Sequence, residues 1–109
     1  MDEIRAVLWN AISVHLPANA EAVQRKGQTN LIISWTLPTE GRPNRQSREI
    51  SVRFDRAVSR VMEASDVVRQ RLVAERVAAF VRRVLAAGNY DELAELPPFI
   101  IDVDDRALE

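Results

Sequence analysis

The chain predicts an α+β domain: an antiparallel three- to four-stranded sheet with helices packed on one face, in the order α-β-β-β-α-α-β. Three observations predict it. Apolar residues recur with a 3.6-residue period near the N-terminus and again after residue 65. Between and after these segments they alternate with a period of two, as in half-buried strands. Clusters of glycine, proline and asparagine separate the segments, where a chain reverses.

Asp2 can cap a first helix, Glu3 to Leu16, with Ile4, Val7, Leu8, Ala11, Ile12 and Leu16 on one face. Pro17 stops it. Trp9 and Val14 widen its apolar arc to roughly 220°, about twice that of an ordinary surface helix. Such a helix should be covered on two sides, by the sheet and by another helix or chain. Glu21 to Arg25 offers a short strand before a turn at Lys26-Gly27. Leu31, Ile33, Trp35 and Leu37 then alternate with polar or outward residues, as do Ile50, Val52 and Phe54. The connector Pro38 to Gln46 is rich in turn residues, so these two strands form a long-looped hairpin. Asp55 can cap a short helix, Arg56 to Ala64. Ser65 can cap a longer one, Asp66 to Ala87, ended by Gly88. Tyr90 to Leu96 can add a helical turn before Pro97-Pro98. Phe99, Ile101 and Val103 alternate as a last strand. The expected core sets Leu31, Ile33, Trp35, Ile50, Val52, Phe54, Ile101 and Val103 against Leu8, Ile12, Val77, Phe80, Val81 and Val84.

At 109 residues, 47% of them hydrophobic, the chain suits a single globular domain over 1–109 with an ordinary core. It has no cysteine, hence no disulfide and no thiolate metal site. The opening Met1-Asp2-Glu3 lacks the basic region of a signal peptide, and no apolar run is long enough to span a bilayer. The expectation is a soluble cytoplasmic protein. Arginine over lysine, with abundant alanine, is the codon-usage pattern of a GC-rich bacterial genome.

Charge is segregated. Arg42, Arg45, Arg48, Arg53, Arg56, Arg60, Arg69, Arg71, Arg76, Arg82 and Arg83 face only five acids over residues 42–83, a balance of +6. From Val84 onward Arg106 stands alone against Asp91, Glu92, Glu95, Asp102, Asp104, Asp105 and Glu109, a balance of −6. The overall charge of −1 conceals this asymmetry, which concerns partners, not fold.

The candidate interaction surface is Arg42, Arg45 and Arg48 in the hairpin loop, Arg69, Arg76 and Arg83 every seven residues along the long helix, and Trp9. A row of guanidiniums can grip phosphates or carboxylates; it is also what a solvated helix face looks like. No aromatic residue lies among the loop arginines, so single-strand stacking lacks a platform. Asp102 and Asp104 could ligate a hard cation, but no further ligand accompanies them, and charges on a terminal strand also guard against aggregation. His15, the one histidine, sits in the first helix's apolar arc and is read as a partly buried structural residue near the last carbonyls. No catalytic motif, glycine-rich phosphate loop or zinc spacing occurs, so no catalytic residue, metal or cofactor is expected.

The α-β-β-β-α order up to Ala87 resembles the layout of the double-stranded RNA-binding domain. That family opens its final helix on a lysine cluster, whereas Ser65 to Arg71 carries two arginines and an aspartate, so membership does not follow. The sequence favours a non-enzymatic protein-interaction module that self-associates as a homodimer. The alternative is a nucleic-acid-binding accessory protein using the 42–48 loop and the Arg69/Arg76/Arg83 face. No membrane partner is expected.

Overall fold

A computed structural model of the chain describes residues 1–25, 27–37, 46–87, 90–91, 93 and 95–108. It comprises α1 (Glu3–Ser13), β1 (Glu21–Val23), β2 (Leu31–Ser34), β3 (Ile50–Phe54), α2 (Arg56–Ala64), α3 (Val67–Ala86), β4 (Phe99–Val103) and a closing 3-10 turn, η1 (Asp105–Leu108). The α+β order is the expected one, with η1 added.

The sheet is mixed, not antiparallel throughout. Strands lie in the order β1-β2-β3-β4; β1/β2 and β2/β3 are antiparallel, and β3/β4 is parallel. The direction of β4 follows from its connection. Two helices intervene between β3 and β4 and carry the chain back to the end where β3 began, so β4 enters opposite Ile50 and leaves opposite Phe54. An alternating strand pattern reads the same in either direction.

One sheet face forms the core. Leu31 stands opposite Val52, which stands opposite Ile101; Ile33 meets Ile50, and Phe54 meets Val103. All are buried, as is Trp35, against Leu8 and Ile12 of α1, Val58 and Met62 of α2, and Val73, Val77 and Val81 of α3. Phe80 and Val84, expected inside, are half-buried at the margin. The other face carries the register row Val23, Ile32, Ser51 and Ile100, of which Val23 and Ile100 are exposed.

Element ends differ from the expectations in instructive ways. The Asp2 carboxylate does cap α1, accepting the Arg5 N–H at 2.8 Å. Burial alone would raise its pKa; the Arg5 N–H, the Gln24 amide and the Arg5 charge outweigh this and lower it. The helix ends at Ser13, not Leu16. The N–H groups of His15 and Leu16 turn to the carbonyls of Ile12 and Ser13, a tighter turn before Pro17. Asp66, not Ser65, caps α3, accepting the Arg69 N–H at 2.8 Å. The Ser65 hydroxyl instead donates to the Val61 carbonyl at 2.6 Å, satisfying the end of α2. Asp55 holds the cap position of α2 without a side-chain bond. Strand β2 stops at Ser34 because the Trp35 N–H turns to the Ser47 hydroxyl at 3.0 Å, with one further bridge at Thr36 and Gln46.

The expected helical turn over Tyr90–Leu96 is not a helix among the described residues. Leu96 N–H donates to the Leu93 carbonyl in a turn. Tyr90 is held by the sheet instead: its ring packs 6.1 Å from Trp35 and 5.4 Å from Phe99, and its hydroxyl donates to the Arg48 carbonyl. Gly88 lies outside the described residues. Gly27 adopts φ 79°, the left-handed conformation that glycine tolerates best, between β1 and β2.

Candidate interaction surface

The arginines divide by location. Arg42 and Arg45 lie outside the described residues. Arg48 belongs to the structural framework: it is half-buried, its Nε donates to the Pro97 carbonyl at 2.7 Å, and its guanidinium lies 5.2 Å from the Phe99 ring centre. It ties the start of β3 to the start of β4. Arg53 pairs with Asp102 across β3 and β4 in a two-point contact of 2.6 and 2.9 Å on the open sheet face. The Arg53 hydrogen bonds, helped by its charge, hold the Asp102 carboxyl below its ordinary range against the opposing effects of burial and of the Asp104 charge. Asp104 is likewise lowered, first by its hydrogen bond from Arg106. These two aspartates are therefore committed to guanidiniums, and among the described residues no acidic or histidine cluster could hold a metal.

Arg69, Arg76 and Arg83 are all exposed along α3. Arg76 also donates to the Leu108 carbonyl at 3.0 Å, which docks η1 on the helix. The sequence pattern missed what lies between them. Leu72 is three residues after Arg69 and four before Arg76, so the three side chains are neighbours on one helical face. Leu72 is 54% exposed and the adjacent Val68 71%. With Val61 and Leu108 they line a cleft of about 480 Å³ between α2, α3 and η1, whose charged lining residues are Asp66, Arg69 and Arg76. The signal was present in the sequence. Val68 and Leu72 lie far around the helix from the buried stripe of Val73, Val77 and Val81, on the charged side.

A second cleft, also about 480 Å³, runs between α1 and α3, floored by Val7, Ala11, Ala74 and Ala78. Val14 and Val67 stand exposed at it, and His15, Arg71 and Glu75 line it. His15 is thus exposed, not partly buried, because α1 ends before reaching it. Trp9 is half-buried and packs on the edge of the core, while Val14 of the same arc is exposed.

Arg5 is the other residue the sequence reading passed over. It is buried at 4% exposure; Nε donates to the Thr29 carbonyl at 2.9 Å, a terminal nitrogen donates to the Ser59 hydroxyl at 3.1 Å, and the guanidinium lies 5.5 Å from the Phe54 ring centre. Its spacing to Leu8 and Ile12 places it on the buried stripe of α1.

No described helix is long and apolar enough to cross a membrane. No family model, curated protein or solved structure matches the chain.

Neutralising the arginine row is expected to leave the fold intact. Changing Arg69, Arg76 and Arg83 together to glutamine should shift stability by only tenths of a kcal/mol for each exposed charge, measured by urea unfolding. The parent should show little affinity for unspecific duplex DNA at about 150 mM salt, since the acids after Val84 weaken the positive field at long range.

Proposed function

We propose that this protein is a cytoplasmic, non-enzymatic interaction module that self-associates. The observation that carries this reading is the concentration of exposed apolar side chains on the helical layer: Val14 beside α1, and Val67, Val68 and Leu72 in the first half of α3. Scattered singly, such residues need no explanation; grouped and bordered by charge, they are what interaction surfaces offer. Light scattering should give a mass of about twice the 12.3 kDa chain. A strictly monomeric mass at high protein concentration would refute self-association.

A second reading rests on the alignment of Arg69, Arg76 and Arg83, all exposed along one helix. It makes the protein a nucleic-acid-binding accessory factor. Micromolar binding to duplex of unrelated sequences at about 150 mM salt, lost when the three arginines become glutamine, would favour it.

A further inference from the structure

We propose that the chain self-associates through the outer edge of β4, which pairs antiparallel with β4 of a second copy so that the two four-stranded sheets run on as one. This rests on the self-association reading and places its contact on the sheet edge, apart from the apolar side chains of the helical layer.

Among the described residues no strand lies beyond β4. The Phe99 N–H donates to the Glu49 carbonyl and the Val103 carbonyl accepts from the Asp55 N–H, so Phe99, Ile101 and Val103 turn their backbone groups toward β3. Those of Ile100 and Asp102 point the other way, out of the sheet. The same two residues carry their side chains on the open sheet face, exposed. Such edges are ordinarily blunted by charge, proline or a bulge. Strand β4 has no proline, its register against β3 is unbroken from Phe99 to Val103, and its one charge, Asp102, is already paired with Arg53. At the opposite edge β1 is only three residues long and opens on Glu21.

A two-fold axis at Ile101 makes this edge complementary to itself. Each Ile100 then exchanges both backbone bonds with Asp102 of the second copy, and Ile101 faces Ile101 on the core side. Sliding the strands by two residues one way sets Asp102 opposite Asp102, like charges side by side; sliding the other way sets Asp102 opposite Pro98, which has no N–H. A slip of one residue loses the bonds and turns the side chains to the wrong faces. In the register at Ile101 each Asp102 keeps its own Arg53 and lies beside an isoleucine, so no charge meets a like charge. A strand from another partner would pair with the edge and expose its own outer edge in turn. A second copy ends the extended sheet at β1 on both sides, and the assembly closes as a dimer.

The test uses the full chain and two variants of one exposed position, Ile100→Glu and Ile100→Lys, with sedimentation equilibrium as readout and amide hydrogen exchange on the parent. Glutamate adds a carboxylate beside Asp102 of the second copy at both ends of the contact, and should weaken dimerisation by about tenfold or more. Lysine sets an ammonium there instead, and should leave dimerisation within about threefold of the parent's. Both variants should melt near the parent's temperature. The Ile100 and Asp102 amides of the parent should exchange slowly in the dimer and fast on dilution to monomer. A monomeric parent at about 1 mM overturns both the self-association reading and this contact. A dimeric parent whose two amides exchange fast, or whose Ile100→Glu variant associates as the parent does, overturns the strand pairing alone. Equal losses in both variants also overturn it, since they would make Ile100 an apolar contact and not the neighbour of an acid.

Discussion

Replacing Ile33 by alanine is expected to cost about 3 kcal/mol of stability, and Val77 by alanine about 2 kcal/mol. Ile33 has no exposed surface and lies on β2 between Ala22 of β1 and Ile50 of β3. Val77 is equally enclosed, midway along α3. Interiors are packed to crystal-like density, so neighbours held by a sheet ladder or a helix cannot collapse far into the space a lost methylene leaves. In a domain of this size 3 kcal/mol lowers the melting temperature by roughly 12 °C or more. Calorimetry on the two variants checks this. Both melting with the parent would mean that the sheet faces are assigned the wrong way round.

Arg5→Ala is expected to be about as costly, at about 2–4 kcal/mol, while Arg5→Met should cost about 1 kcal/mol or less. The guanidinium links three segments: α1, which carries it, the β1–β2 connection through Thr29, and α2 through Ser59. Alanine removes both bonds and leaves a void beside Phe54. Methionine also loses the bonds but refills the space. It removes a buried cation whose charge acts on the Asp2 carboxylate without forming a salt bridge among the described residues, so its desolvation is only partly offset. Urea midpoints for the two variants decide the matter. Equal losses in both would show that the hydrogen bonds dominate; no loss in Arg5→Ala would mean that Arg5 is not buried in solution.

The candidate surface was half legible in the sequence. The seven-residue recurrence of Arg69, Arg76 and Arg83 is a local property, and all three are exposed as that spacing implies. Arg48 reads the same way by composition, yet it is spent on the Pro97 carbonyl and the Phe99 ring, partners some fifty residues away. Leu72 and Val68 were hidden for the opposite reason. Apolar residues in a helix are ordinarily credited to a core, and only the positions of α2 and η1 leave these two uncovered.

What the sequence by itself determined is whatever depends on neighbours along the chain. Strand alternation chose which residues of β2, β3 and β4 face inward, and the 3.6-residue period chose the buried stripes of α1 and α3. Asp2 marked the start of the first helix; its end at Ser13, four residues before Pro17, was not marked. The tertiary structure decided what depends on neighbours in space. Asp66 caps α3 because Ser65 closes α2, a choice between adjacent residues that are equally fit for the task. Strand β4 runs parallel to β3 because two helices bring the chain back across the sheet before it pairs. Direction is set by the path between strands, and a period of two carries no record of that path.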